Sequence, residues 1–204
     1  MIGSVKYIYY AYLTNLGGMN MKELETNNLV LRKFKLTDAK KAYENWAGVS
    51  EIAKLSDFKV HANVEETKAI IKMGSGEEGE DMYIYGIFLK NTNEPVGFVR
   101  IYQVSAINKT CKIYFTVGKK WFNKGISNEA IKRVLEDLFE DKGYNVVICE
   151  YYSNVDYLFK RILESVGMYK EAVLRQRKIS ELGNMQDKII YSITKQEYES
   201  LVKC

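Results

Sequence analysis

The chain is poor in proline, histidine and cysteine, and each shortage closes off a class of function. One proline in 204 residues leaves no Pro-rich linker between domains, so a single domain large enough to bury a sizeable core is expected. One histidine, His61, starves a His-based triad or a His/Cys zinc site of its parts, and no metal is expected. His61 itself reads as a loop residue. Three cysteines, Cys111, Cys149 and Cys204, are odd in number and far apart, which argues against a disulfide framework and for a reducing, cytoplasmic setting. Cys111 and Cys149 fall in apolar strand patterns and read as small buried hydrophobes rather than nucleophiles. No apolar run approaches a membrane span, so no membrane is expected. The net charge of +4 is too mild to call for nucleic acid, which demands a concentrated basic face.

What is present centres on Tyr114 to Gly143. An apolar strand (Ile113, Tyr114, Phe115, Thr116, Val117) runs into the basic loop Gly118-Lys119-Lys120-Trp121-Phe122-Asn123-Lys124-Gly125, and a helix opens at Ile126-Ser127-Asn128-Glu129-Ala130. Ile126, Ala130, Val134 and Leu138, with Ile131, Leu135 and Phe139, recur at helical steps and make a broad apolar stripe. Lys132, Arg133, Glu136, Asp137 and Glu140 fill the other face. A helix start exposes unpartnered N–H groups and the positive end of the macrodipole, so it suits phosphate. Gly125 removes the side chain that would block the approach, and Lys119, Lys120 and Lys124 add charge around it. The loop lacks both GxxxxGK[ST] and GxGxxG, which sets it apart from the common nucleotide motifs.

Around this unit the chain alternates helix and strand signals. Residues 1–20, rich in tyrosine (Tyr7, Tyr9, Tyr10, Tyr12), lack the aliphatic run and cleavage site of a signal peptide. They read as an over-extended start with Met19 or Met21 beginning the domain, as a docked strand, or as a partner-binding arm; the domain proper is expected over residues 21–204. A strand is expected over Asn28–Phe34, a helix from Thr37-Asp38 with Ala42, Tyr43 and Trp46 inward, and another helix over Asn63–Met73. Gly74 to Asp81 is a glycine-rich acidic loop, read as a solvated connector or as an attractor of a cationic amine. Two strands meet at Lys90–Pro95, a reversal near Asn108 leads into the strand ending at Val117, and Val146–Tyr152 is the next strand. A helix capped by Asp156 stops at Gly167, two strands around Leu182-Gly183-Asn184 close the fold, and Lys195–Lys203 reads as a polar tail.

The segment Trp121 to Ala130 resembles the acyl-CoA loop of the GCN5-related N-acetyltransferase (GNAT) superfamily, written Q/R-x-x-G-x-G/A. It is similar to the W-G-K-G-x-A-x-E-A form of the ribosomal-protein N-terminal acetyltransferase branch. Phe122 stands at the aromatic or Gln/Arg position, Asn123 at a frequent Gly, Lys124 and Gly125 match, Ser127 replaces a small residue, and Glu129-Ala130 match. A second likeness covers Asp156 to Met168, where family members carry N-x-x-S before a helix ending in G-F. Asp156 falls at the Asn position and Phe159 at the Ser position, with Asn154 two residues early. The resemblance spans roughly Leu24 to Leu201. It implies the α/β acyl-CoA N-acyltransferase fold, a mixed bent sheet of about seven strands flanked by helices.

The same resemblance implies acetyl-CoA as co-substrate, held by Phe115, Thr116, Val117, Phe122, Asn123, Lys124, Gly125, Ile126, Ser127, Asn154, Asp156 and Phe159. Acetyl transfer from a thioester to an amine needs a polarised carbonyl, a neutral amine and a proton for the thiolate. Direct attack suits a chain with one histidine. Where family members place a Glu on the strand before the loop this chain has Lys112, and where they place a Tyr before G-F it has Leu163. Glu150 is therefore the expected base and Tyr157 the nearest phenol for the acid. The partner is an amine acceptor, a small molecule or a protein N-terminus, and pairing into a homodimer is left open. A catalytically silent CoA-binding or interaction module of the same fold is the competing reading. Nucleotide hydrolysis is disfavoured because no Ser/Thr and Asp pattern for magnesium follows Lys124-Gly125.

Overall fold

Apolar residues alternating with polar ones, broken by short turns, place the chain in strands wherever the helical period is absent. The computed structural model describes residues 21–55, 58–73, 82–180 and 183–203, with the side chains of Met73 and Asp156 outside the description. The N-terminal extension to Asn20, the acidic loop Gly74–Asp81, Leu182 and Cys204 thus lie outside the described residues. The strands are β1 (Leu24–Glu25), β2 (Leu29–Arg32), β3 (Tyr83–Leu89), β4 (Pro95–Ser105), β5 (Thr110–Val117), β6 (Val146–Tyr152), β7 (Tyr169–Ile179) and β8 (Met185–Thr194). The helices are α1 (Ala39–Ala42), α2 (Ser50–Leu55), α3 (Val64–Met73), α4 (Ile126–Glu136), α5 (Asp156–Ser165) and α6 (Lys195–Val202).

The strands form one sheet in the order β1-β2-β3-β4-β5-β6-β8-β7. Every neighbouring pair is antiparallel except β5 and β6. That parallel pair needs a long crossover, and α4 supplies it. The sheet holds eight strands rather than about seven, because a turn at Thr26–Asn28 folds two residues back so that Leu24 pairs with Leu31. Glu129 on α4 holds that turn: Thr26 Oγ1 donates to its Oε1 at 2.5 Å, as does the Asn28 amide at 2.9 Å, and Asn28 Nδ2 donates to its Oε2 at 3.0 Å. On one face of the sheet, Val99, Ile101, Ile113 and Phe115 pack with Ala130, Val134, Leu138 and Leu163. On the other, Phe98 and Tyr114 pack with Ala42, Trp46 and Ile52.

Three local expectations are corrected. The expected tail is mostly helix, α6 over Lys195–Val202: Thr194 caps it, the Glu197 side chain accepts from the Thr194 amide at 2.8 Å, and Tyr198 stacks on Phe139 at 4.9 Å. Asp137 is fully buried instead of solvated. The helix widens there into an i→i+5 turn, with Lys142 N donating to Asp137 O at 3.0 Å, and the rotated carboxylate meets Lys142 Nζ and the Tyr85 hydroxyl. Asp156 is the first helical residue and not the cap, since the 3₁₀ turn Ser153–Val155 feeds straight into α5 without a side-chain cap. The other end of α5 behaves as expected. Gly167, at φ +86°, lets its N–H reach Glu164 O at 3.1 Å while Met168 N reaches Leu163 O at 2.9 Å, a Schellman close.

Candidate active site

The loop before α4 is shaped by two left-handed residues. Asn123 has φ 57° and Gly125 φ 78°. The first explains why Asn stands where a glycine is frequent in the resembling loops: after Gly, Asn is the residue that best tolerates this conformation. At Gly125 a Cβ would meet nothing within 4 Å, so the backbone lies open above the helix start. The first helical bond runs from Glu129 N to Gly125 O at 3.0 Å, and no side chain caps the helix. The amides of Ile126, Ser127 and Asn128 therefore precede the ladder, and they face a cleft.

That cleft has a volume of about 610 Å³. It brings together Phe115, Thr116, Val117, Phe122, Asn123, Gly125, Ile126, Ser127 and Phe159, all expected to hold cofactor, and Tyr157 at its rim, 70% exposed. Lys124 is exposed beside it, and Arg161 of α5 lines it. Two of the lysines expected around the loop are engaged elsewhere: Lys119 pairs with Glu51 at 2.8 Å and Lys120 approaches Glu94 at 3.9 Å. Asn128 Nδ2 donates to Ser165 Oγ, tying α4 to α5 across the cleft.

At the inner end of the cleft the sheet splits. The parallel ladder between β5 and β6 stops at Ile113 and Cys149. Gly118 N donates to Val96 O at 2.8 Å on the β4 side, and strand alternation then turns the Phe115 and Val117 amides the opposite way, toward the gap. Phe159 fills part of it, 4.8 Å from the Phe115 ring and 5.0 Å from that of Tyr151.

A second cleft of about 250 Å³ opens on the far side of the gap and shares Leu55 and Phe159 with the first. Glu150 and Asn154 lie in it, so Glu150 and Tyr157 stand in different clefts. Glu150 accepts from Lys112 Nζ at 2.5 Å and from Lys188 Nζ at 3.1 Å. Burial pushes its pKa up, but the hydrogen bonds and charges of the two lysines outweigh it and leave the carboxyl below its usual range. Among the described residues four cationic side chains line this cleft, Lys54, Arg100, Lys178 and Lys188, against the one carboxylate of Glu150. Sequence reasoning missed them. The signal for Arg100 was available: a charge inside the apolar run Val96-Gly97-Phe98-Val99-Arg100-Ile101 has to face something.

A third cavity, about 370 Å³, adjoins at Arg100 and is walled by Phe34, Trp46, Phe58, His61 and Phe98. The Trp46 ring lies 4.9 Å from Phe98 and, edge-on, 6.1 Å from Phe58. His61 is a loop residue, as expected, but a packed one. It is buried, with Nδ1 2.9 Å from Thr67 Oγ1, and burial lowers its pKa against the opposing pull of Glu66. The strand cysteines are buried too; burial pushes the Cys111 thiol up to about 12 and raises that of Cys149 further, so neither is a thiolate at neutral pH.

The family model of the acetyltransferase (GNAT) domain matches residues 28–168. The chain is 25% identical over 180 residues to the uncharacterized N-acetyltransferase p20 of Bacillus licheniformis, covering 87% of this chain and 99% of that protein. A solved GNAT-family acetyltransferase of Bacillus anthracis shares the fold at a TM-score of 0.74 and 20% identity, with 86% and 99% of the two chains covered. The microcin C7 self-immunity acetyltransferase MccE, solved with acetyl-CoA and AMP, does so at 0.70 and 22%, with 83% and 93% covered. With the mixed sheet, the open glycine at the helix start and the split between β5 and β6, these matches mark the chain as a member of the GNAT family of acetyl-CoA-dependent acetyltransferases.

Proposed function

We propose that the chain moves an acetyl group from acetyl-CoA directly to a primary amine, with CoA seated in the cleft above α4 and the amine arriving through the Glu150 cleft. The observation that carries this reading is the meeting of two clefts at the β5–β6 gap, where the Phe115 and Val117 amides point. Acetyl-CoA supplies an acyl carbonyl and a thiolate leaving group. The chain's own groups do the rest. The open amides of Ile126, Ser127 and Asn128, with Lys124 and Arg161 nearby, meet the phosphates, and the Phe115 and Val117 amides polarise the carbonyl. As the C–N bond forms and the C–S bond breaks, one proton leaves the nitrogen and one reaches the sulfur.

Glu150, bound by Lys112 and Lys188, acts in this account as their counter-ion rather than as the base. The cationic lining disfavours an ammonium and so supplies neutral amine, whose proton departs to water. Tyr157, at the rim of the CoA cleft, is the phenol to which this account gives protonation of the sulfur. A second reading, a silent CoA-binding module, is favoured by Lys112 and Leu163 standing where resembling enzymes carry Glu and Tyr. The test is thiol release from acetyl-CoA across an amine panel. Turnover with any amine supports transfer, and CoA binding without turnover on any amine supports the silent module.

A further inference from the structure

The Glu150 cleft and the aromatic cavity meet at one residue, and that residue has no salt-bridge partner among the described residues. Arg100 lines both. Its guanidinium stacks on Tyr102 and Tyr114, 4.8 and 5.1 Å from their centroids. Its Nε is buried without a hydrogen-bond partner, and no carboxylate pairs with it among the described residues. A buried, unsatisfied charged donor is costly unless something satisfies it. Around it the balance is one-sided, with Lys54, Lys178 and Lys188 on the same cleft. Among the described residues the only carboxylate lining that cleft, Glu150, already holds Lys112 and Lys188. Beyond Arg100 the walls are mainly aromatic, with Lys59 and Glu66 on the same lining, and Trp46 Nε1 is a second buried donor with no partner among the described residues.

These features select a ligand. An amine carrying further positive charges, such as a polyamine, enters a cleft already cationic, whose carboxylate Glu150 is engaged by Lys112 and Lys188, and meets repulsion there. An amine carrying an anion brings the partner that Arg100 lacks, in the geometry a guanidinium matches best. A flat apolar substituent next to that anion falls against Trp46, Phe58 and Phe98, which offer face and edge contacts.

Resting on the transfer reading above, we infer that the acceptor is a small primary amine bearing a carboxylate or phosphate-type anion and a flat apolar group. The anion pairs with Arg100, the apolar group fills the Trp46 cavity, and the amine is left at the β5–β6 gap. Selectivity against polyamines then comes from the charge of this cleft and not from its size.

The experiment uses the full chain saturated with CoA and three matched probes: phenylalanine, its phosphonate analogue and phenylalaninamide, with spermidine as the polycation. Binding is read by calorimetry and transfer by thiol release from acetyl-CoA. Both anionic probes should bind at least tenfold more tightly than the amide and spermidine, and the stronger of the two identifies the anion. Arg100→Gln should bring that preference to within about twofold of unity while leaving CoA affinity unchanged. Lys54→Gln, an exposed change that spares the fold, should lower the preference a few-fold. Equal or tighter binding of the amide or of spermidine overturns the inference, and means that the counter-charge of Arg100 comes from the chain itself. Anion-selective binding with no thiol release for any amine keeps the inference and removes the transfer reading, so the two fail separately.

Discussion

Replacing Glu150 with Gln tests the electrostatics of the acceptor cleft. The carboxylate is 15% exposed and accepts from Lys112 and Lys188, themselves 23% and 28% exposed. Exposed pairs contribute about 0–1 kcal/mol, and breaking a fully buried one costs about 3–5 kcal/mol. This partly buried triad lies between, and removing its only anion also leaves two ammonium groups facing each other, so a loss of roughly 2 kcal/mol is expected. For a chain of this size that lowers Tm by about 4–8 °C. The sign with pH follows from the lowered carboxyl pKa. A depressed acid stabilises the fold above its unfolded pKa, about 4.3, and the contribution disappears as pH falls through the folded value. Thermal melts should therefore show the full deficit of Glu150→Gln at pH 7 and a shrinking one in acid. Turnover separates the two roles. A counter-ion predicts less than about tenfold loss with no recovery at alkaline pH, whereas a general base predicts about a hundredfold loss or more, partly recovered there. Identical melts at pH 7, or the second kinetic pattern, refute the counter-ion account.

Removing Met1 to Gly18 should leave a folded, CoA-binding domain, because β1 begins at Leu24 and the family match at residue 28; a melt and a CoA titration of the truncated chain check this, and loss of folding would make the segment part of the core. Thr194→Ala removes the cap of α6 and should cost about 1 kcal/mol, or about 2–4 °C in Tm. No change in the melt would mean that Tyr198 stacking alone holds the helix.

The parts of this protein legible in its sequence are those written in one contiguous stretch. The α4 stripe, the helix start at Ile126, strand β6 and the Gly167 stop all depend on neighbours in the chain, and they stand as expected. Helix α6 was also legible, since Thr194-Lys195-Gln196-Glu197 is a capping box; its polar composition hid it. Asp137 was not, because the widened turn that buries it leaves the spacing of the apolar stripe intact. The acceptor cleft was the least legible. Lys54, Arg100, Lys178 and Lys188 come from α2, β4, β7 and β8, and only the sheet order and the packing of α2 on it bring them to one cleft. The pairing of Lys112 with Glu150 likewise follows from the β5–β6 register, which sets Lys112 opposite Ile148.

The central claim, that CoA phosphates sit on the open helix start, is tested most directly by calorimetric titration of acetyl-CoA into the wild type, Gly125→Ala and Gly125→Val. Both variants carry the left-handed strain of φ 78°, about 1–2 kcal/mol, but no packing clash, since a Cβ there meets nothing within 4 Å. Only the valine fills the space above the Ile126, Ser127 and Asn128 amides. The account predicts a loss of affinity of at least about tenfold for Gly125→Val beyond that for Gly125→Ala, or about 1.4 kcal/mol, in a protein that still melts cooperatively. Wild-type affinity in a folded Gly125→Val protein would contradict it.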